Sequence, residues 1–425
     1  MSMTVEESEP ATLAEAMAAT LKSAGVKYIF GVPGGGSSLD LIAAADKAGI
    51  EFVLFRGETS AALAASVAAE LTGAPGVVLT AIGPGAASAA NGVAYAHLER
   101  APLLVICDAR EAGQGLPPHQ EFDLQAMFGP IAKACTRLTP PSGGARFAEL
   151  VAQVQQPPEG PALVELSAGD AAGDPGPVAV ETGPPKAAGA NRDETAGARD
   201  MLAASRQPIL LVGLQALRSG SGAQLLRLGE YLGCPIMTTY KAKGAIPDTH
   251  PQMIGHLTGA DSEATAIRRA DLVLWAGLEP VELIPAPWRP EVPILAFSDR
   301  PGLRYPAPPA AELVGPLSES IGQISEAGRA SAWQAEEIFG FKDELARRLE
   351  LPGGEGHTVE SVADAVIAAS PHDTRYTVDA GAHMISIMAR IQAGEPLRVL
   401  KSTGLSTMGF ALPAAIASSL VDPRR

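Results

Sequence analysis

Short apolar runs and helix-period stretches alternate along the first third of the chain. Residues 12–23, 39–47 and 59–71 read as helices, while 28–30, 52–55, 77–80, 103–107 and 162–166 read as strands. Strands separated by helices imply crossover connections and a parallel sheet. The pattern therefore predicts an α/β domain over residues 1–167.

After Leu166 the composition changes, and Gly, Pro and Ala dominate residues 168–190, a linker signal. A second series follows, with strands expected at 208–213, 234–239, 272–277 and 293–297, giving a central α/β domain over 191–315. Residues 301–313 carry Pro301, Pro306, Pro308 and Pro309 and read as an irregular passage. A third helix-strand series starts near Trp333, with strands at 375–378 and 398–401, and fills residues 316–425. The expected architecture is three doubly wound parallel-sheet α/β domains, the third incomplete.

Charge narrows the partners. The formal net charge is −15 with no basic block along the chain, which argues against nucleic acid and anionic membranes. No stretch has the apolar length of a membrane span, and residues 1–10 carry Glu6, Glu7 and Glu9 without the basic start of a secretory signal. Aromatic residues are only 4%, so the cores must be built from Ala, Val, Leu and Ile. Cys107, Cys135 and Cys234 are scattered, and Cys107 and Cys234 fall in or beside apolar strand-like runs, as buried structural thiols do. A reducing cytoplasm is the simplest setting.

Three glycine-rich places stand between a strand and a helix: Phe30-Gly31-Val32-Pro33-Gly34-Gly35-Gly36, Gly83-Pro84-Gly85 and Gly404-Leu405-Ser406-Thr407-Met408-Gly409. Backbone N–H groups at such places can face an anion; a tight turn is the competing reading. No dinucleotide fingerprint is present, since Leu39 stands where the third glycine is required. This argues against a nucleotide-binding oxidoreductase. Glu58 ends the run Val53-Leu54-Phe55-Arg56-Gly57-Glu58, where a strand gives way to an Ala-rich helix.

In this order the pieces resemble thiamine diphosphate enzymes of the acetolactate synthase and pyruvate oxidase family. The resemblance is carried by the Pro33-Gly34 loop, Glu58, Gly83-Pro84-Gly85, Gln120-Glu121, Lys133 and Glu159-Gly160-Pro161-Ala162-Leu163-Val164-Glu165. Lys241-Ala242-Lys243-Gly244-Ala245-Ile246-Pro247 and Asp271-Leu272-Val273-Leu274-Trp275-Ala276-Gly277 continue it, and Thr407-Met408-Gly409-Phe410-Ala411-Leu412-Pro413 is its most specific match.

The resemblance implies a carboligase or decarboxylase acting on a 2-oxo acid, with Glu58 as the carboxyl that hydrogen-bonds the aminopyrimidine nitrogen N1′ and sets its tautomer. A solvated glutamate in a helix's first turn is the bland alternative. Pro33, Gly34, Pro84 and Ser88 would line the pyrimidine side. Gly381, Ala382 and His383 would wrap the diphosphate, the Ser406 carbonyl would accept from the 4′-amino group, and Met408 would prop the cofactor. His119, Gln120 and Lys133 would lie near substrate. A homodimer or homotetramer is implied, because the family's glutamate faces the diphosphate domain of another subunit.

Departures also carry weight. His119 stands where the acetolactate synthases usually have Phe, and Ser88 and Ala382 replace the family's common Asn and Gln. Gly277-Leu278-Glu279-Pro280 replaces the Arg-rich run of flavin-binding relatives, which argues against FAD. The family holds Mg2+ with a Gly-Asp-Gly motif and a later Asn, expected just after Val421-Asp422-Pro423 and not found in these 425 residues. Gly169-Asp170 and Gly173-Asp174 are decoys in the first linker. The metal ligands are thus expected outside this chain, as in a fragment, or lost, as in an inactive relative serving as a subunit or regulatory partner.

Overall fold

The computed structural model describes residues 10–111, 113, 119–177, 192–258, 263–283, 291–305, 307–350 and 356–425. The chain divides into two compact units, residues 1–185 with 412–424, and residues 186–411 with 425.

The first unit is built on a six-stranded sheet of β1 (Tyr28–Val32), β2 (Glu51–Leu54), β3 (Gly76–Thr80), β4 (Leu103–Ala109), β5 (Ala134–Arg137) and β6 (Pro161–Ser167). The strands lie in the order β2-β1-β3-β4-β6-β5 and every pairing is parallel. Every residue of β3 is buried, as expected of a parallel strand covered on both faces. The helix Leu13–Ser23 shows how the covers form: Thr12 caps it by accepting from the Glu15 amide at 3.2 Å, and Leu13, Met17 and Leu21 recur on its buried face. On another face the Ala-rich helices Glu58–Thr72 and Pro84–Leu98 pack together, their small side chains permitting close approach.

The second unit holds a six-stranded sheet of β7 (Pro208–Val212), β8 (Ile236–Thr239), β9 (Met253–Leu257), β10 (Leu272–Ala276), β11 (Ile294–Ser298) and β12 (Ala311–Val314). Their order is β12-β11-β10-β7-β8-β9. Two further strands, β13 (Tyr376–Val378) and β14 (Val399–Lys401), form a small parallel sheet. The expected α/β architecture of parallel sheets is what the chain adopts, with two six-stranded sheets and a small third one.

One expectation is corrected. The proline-rich passage 301–313 does not stay irregular to its end: Ala311–Val314 pairs with β11 and forms an edge of the central sheet. Pro309 precedes the strand, so no ladder bond is lost to the missing N–H. The linker span 168–190 starts with a helical turn, Ala168–Ala171, and its residues 178–190 lie outside the described ones. Helices Leu317–Ile324 and Ala335–Leu349, beyond the 315/316 boundary read from composition, contribute Ile321, Phe341 and Leu345 to the core of the central sheet.

Candidate active site

The strand order of the first sheet reverses between β1 and β3, and ligands of open α/β sheets sit outside the carboxyl ends of strands at such a switch point. Pro33 and Gly34 follow β1, Glu58 follows β2, Gly83 and Pro84 follow β3, and Asp108 lies near the end of β4. All of them therefore reach the same edge of the sheet.

Glu58 is the first residue of its helix, where a carboxylate is favoured by the helix dipole, and it is half-buried. Its Oε1 lies 3.2 Å from where a Cβ on Gly85 would stand. Among the described residues no donor is hydrogen-bonded to this carboxylate. Beside it, the Thr59 hydroxyl donates to the Ser88 carbonyl and ties the two Ala-rich helices together. Gly83 has φ +52, and a Cβ there would come within 1.7 Å of the Gln120 carbonyl oxygen. Gln120 itself has φ +63, so this backbone contact is built from two unusual conformations. The structure thus brings Glu58, Gly83, Gly85 and Gln120 together. His119 is exposed, next to residues 114–118, which lie outside the described ones.

Lys133 is placed elsewhere. It precedes β5, and in a parallel sheet the start of a strand lies at the edge opposite to the carboxyl ends. Its Nζ donates to the carbonyls of Gln153 and Gln156, both at 2.6 Å, where a cation satisfies the last carbonyls of the helix Gly143–Gln155. The strand that fixes this edge, Ala-Cys-Thr-Arg, carries no apolar run to announce it in the sequence. The decoy Asp170 is likewise structural, pairing with Arg137 at 3.2 Å and accepting from the Ser167 hydroxyl at 2.6 Å.

Asp108 had no sequence signal beyond ending an apolar strand. It is 6% exposed, and its Oδ1 accepts from the Ser38 amide and hydroxyl, both at 2.7 Å, while Oδ2 accepts from the Gly36 amide at 3.3 Å. The buried thiols offer no nucleophile: burial pushes Cys107 well up and Cys234 up to about 12.

In the second unit, Asp379 joins two of the predicted segments. Its Oδ1 accepts from the amides of Ala380 at 3.2 Å and Phe410 at 3.0 Å, and its Oδ2 from Gly409 at 3.2 Å. Gly381 has φ +153, and a Cβ there would press on the His383 ring at 2.8 Å. Ala382 is exposed beside it. Ser406 adopts φ +51 with its hydroxyl donating to the Thr403 carbonyl at 3.0 Å, and Met408 is 83% exposed, unlike a helix-packing methionine. A cavity of about 610 Å³ between the helices Val359–Ala369 and His383–Arg390 reaches Asp379 and His383. Among the described residues no group of three His, Cys, Asp or Glu side chains is arranged to hold a metal.

The central sheet has its own switch point, between β7 and β10. Glu282 fills it. Its carboxylate receives the Leu214 amide at 3.1 and 3.0 Å, the Glu279 amide at 2.8 Å and the Thr239 hydroxyl at 2.5 Å. Burial nevertheless pushes its pKa up to about 7, with those hydrogen bonds acting against the rise. Glu279, 1% exposed, pairs with Arg300 and receives the Gln215 amide group at 3.0 Å. Nearby, Lys243 Nζ donates to Asp248 Oδ2 and His256 Nε2, both at 2.6 Å. Burial lowers the lysine's pKa, and burial with the Lys243 charge drives His256 down to about 3. The ring is therefore neutral, with Nε2 accepting from Lys243 and Nδ1–H donating to the Thr238 hydroxyl at 3.0 Å.

Three family profiles match the chain in succession: the thiamine pyrophosphate enzyme N-terminal TPP binding domain over residues 11–127, the central domain over 195–323, and the C-terminal TPP binding domain over 379–425. Together they cover more than half of the sequence, and the chain belongs to the thiamine pyrophosphate enzymes. Within that class it is of the acetolactate synthase and pyruvate oxidase type. It is 28% identical to an acetolactate synthase of Bacillus subtilis, covering 96% of this chain and 74% of the relative. It is 27% identical to a catabolic acetolactate synthase of Raoultella terrigena, covering 97% and 76%. The fold is shared with a protein described as a thiamin diphosphate-dependent enzyme from Mycobacterium smegmatis, at a TM-score of 0.81 and 21% identity over 97% of this chain and 80% of that one. No described helix is long and apolar enough to cross a membrane.

Proposed function

We propose that this chain is a thiamine diphosphate-dependent carboligase or decarboxylase of 2-oxo acids, acetolactate synthase-like, in which Glu58 is the catalytic carboxyl. The observation that carries the reading is the Glu58 carboxylate, set beside the side-chain-free Gly85 at the switch-point edge and engaged by no other described residue. Each unit offers part of a fit: in the first, Pro33, Gly34, Pro84 and Ser88 would take the pyrimidine, and in the second, Gly381, Ala382, His383, Ser406 and Met408 would take a diphosphate and thiazolium. The cofactor, when bound, supplies the nucleophilic carbon that a 2-oxo acid requires. Glu58 holds the ring nitrogen and passes a proton at that atom, the Gln120 segment over Gly83 bounds the substrate side, and the exposed His119 is a further polar group there. Lys133, pinned to helix carbonyls, holds no substrate within its own unit.

Mg2+ is the family's partner ion, but the described residues provide no cluster for it, and no step is assigned to it. The self-filled crevice of Glu282, Glu279 and Arg300 supports the reading without FAD. The named relatives are synthases, which favours the enzyme over the inactive subunit. A homodimer or homotetramer in the cytoplasm is the proposed state.

The test is Glu58→Gln in the complete protein with thiamine diphosphate and Mg2+. Turnover of pyruvate should fall by roughly 10²- to 10⁴-fold, the range of a lost acid–base group. Near-normal turnover in the variant, or no cofactor uptake by the wild type, sinks the reading.

A further inference from the structure

The helix Ser37–Lys47 begins without a cap of its own, because its N-cap residue is Gly36, which has no side chain to offer. The orphan amides of a helix's first turn need acceptors, and here they come from another strand. Asp108, at the end of β4, receives the Gly36 amide at 3.3 Å and the Ser38 amide at 2.7 Å. The Ser38 hydroxyl donates to Asp108 Oδ1 at 2.7 Å and in turn accepts from the Gly34 amide at 3.3 Å. The Ser37 hydroxyl divides its proton between Asp108 Oδ1 at 2.8 Å and the Leu166 carbonyl at 2.6 Å. Packing closes the arrangement, since a Cβ on Gly34 would stand 2.0 Å from Asp108 Oδ2.

We propose that Asp108 is a positioning residue: it caps the helix Ser37–Lys47 from β4 and thereby fixes the Pro33–Gly36 turn at the switch-point edge. The inference rests on the proposed function in so far as that turn meets the cofactor. Four donors converge on the carboxylate, so it serves as an anchor. The carboxylate ties the turn and the start of the helix to β4 through both of its oxygens. Its place in the chain also sets what the anchor controls. It reaches Gly34 through Ser38, and Gly34 is next to Pro33, the first residue after β1.

The test compares Asp108→Ala and Asp108→Asn with the wild type in the complete protein. Amide hydrogen exchange at Gly36 and Ser38 reads the anchor, fluorescence titration with thiamine diphosphate and Mg2+ reads the cofactor, and pyruvate turnover reads KM against kcat. Asp108→Ala should speed exchange at both amides and weaken cofactor binding at least tenfold, with kcat at saturating cofactor changed much less. Asp108→Asn keeps the Oδ1 acceptor and loses only the Gly36 bond, so it should fall between the two. Faster exchange with wild-type cofactor affinity overturns the inference, as does unchanged exchange. If the alanine variant fails to fold, Asp108→Asn decides: wild-type affinity and a protected Gly36 amide overturn it. Failure of the wild type to bind the cofactor is a different result, which rejects the proposed function and the cofactor half of the inference together.

Discussion

The Glu58 carboxylate rests against Gly85, with Oε1 at 3.2 Å from the position of the missing Cβ. The same imagined Cβ would lie 3.1 Å from the Ala81 Cβ and 3.7 Å from the Thr80 Cβ, so the space is already bounded on its other sides. The glycine matters here for the room it leaves, since no positive φ demands it.

Gly85→Ala therefore separates stability from activity. Gly85 lies in the first turn of the helix Pro84–Leu98, where the gain in backbone entropy from alanine is offset by crowding against Ala81. The methyl group must displace the Glu58 carboxylate or the Ala81 Cβ, and turnover should fall at least tenfold with little change in melting temperature. A variant that melts early without losing turnover would count against this placement of Glu58.

Glu282 gives the protein a pH dependence of definite sign. Its pKa is about 7 in the folded chain against an ordinary 4.5, so the folded state binds its proton more tightly. The group's contribution to stability is then present below pH 4.5 and is lost as pH rises through about 7. Glu282→Gln is neutral throughout, and its melting temperature should decline less than that of the wild type between pH 5 and 7.5. Parallel decline of the two would exclude Glu282 as the source.

Lys243 and Asp248 are 1% and 5% exposed, and breaking such a pair from one side leaves a charge buried alone. Lys243→Met should cost about 3–5 kcal/mol, read as a lower denaturant midpoint. Adding Asp248→Asn should restore part of that loss, since it removes the stranded charge. If the double variant is weaker than the wild type by the sum of the two single effects, the pair is not coupled.

Much of this fold was legible in the chain, and the omissions share a cause. β5, β9 and β12 were not expected, and each is an edge strand of its sheet. Edge strands are covered less and need fewer apolar residues: β5 reads Ala-Cys-Thr-Arg, and β9 carries Gly255 and His256. The central strands, covered on both faces, declare themselves as continuous apolar runs. The site followed a similar rule. Glu58 and the glycine loops were visible because their context is contiguous, whereas Asp108 acts on residues 70 to 72 positions away. Lys133 could not be placed at an edge because β5, the strand it precedes, was itself not expected. Glu282 was hidden because nothing local distinguishes a carboxylate that fills a crevice from one on the surface.

The Asp108 cap also bears on how the first unit comes together. A helix closed by its own N-cap is complete as soon as it has been made, but Ser37–Lys47 must wait for β4, which joins the sheet beyond β3. The shape of the Pro33–Gly36 turn is thus a product of non-local closure, a kind of contact that is slow to form and cooperative with the rest of the sheet. A nascent or truncated chain ending before residue 108 would carry the whole glycine turn in its sequence and still lack the acceptor that holds it.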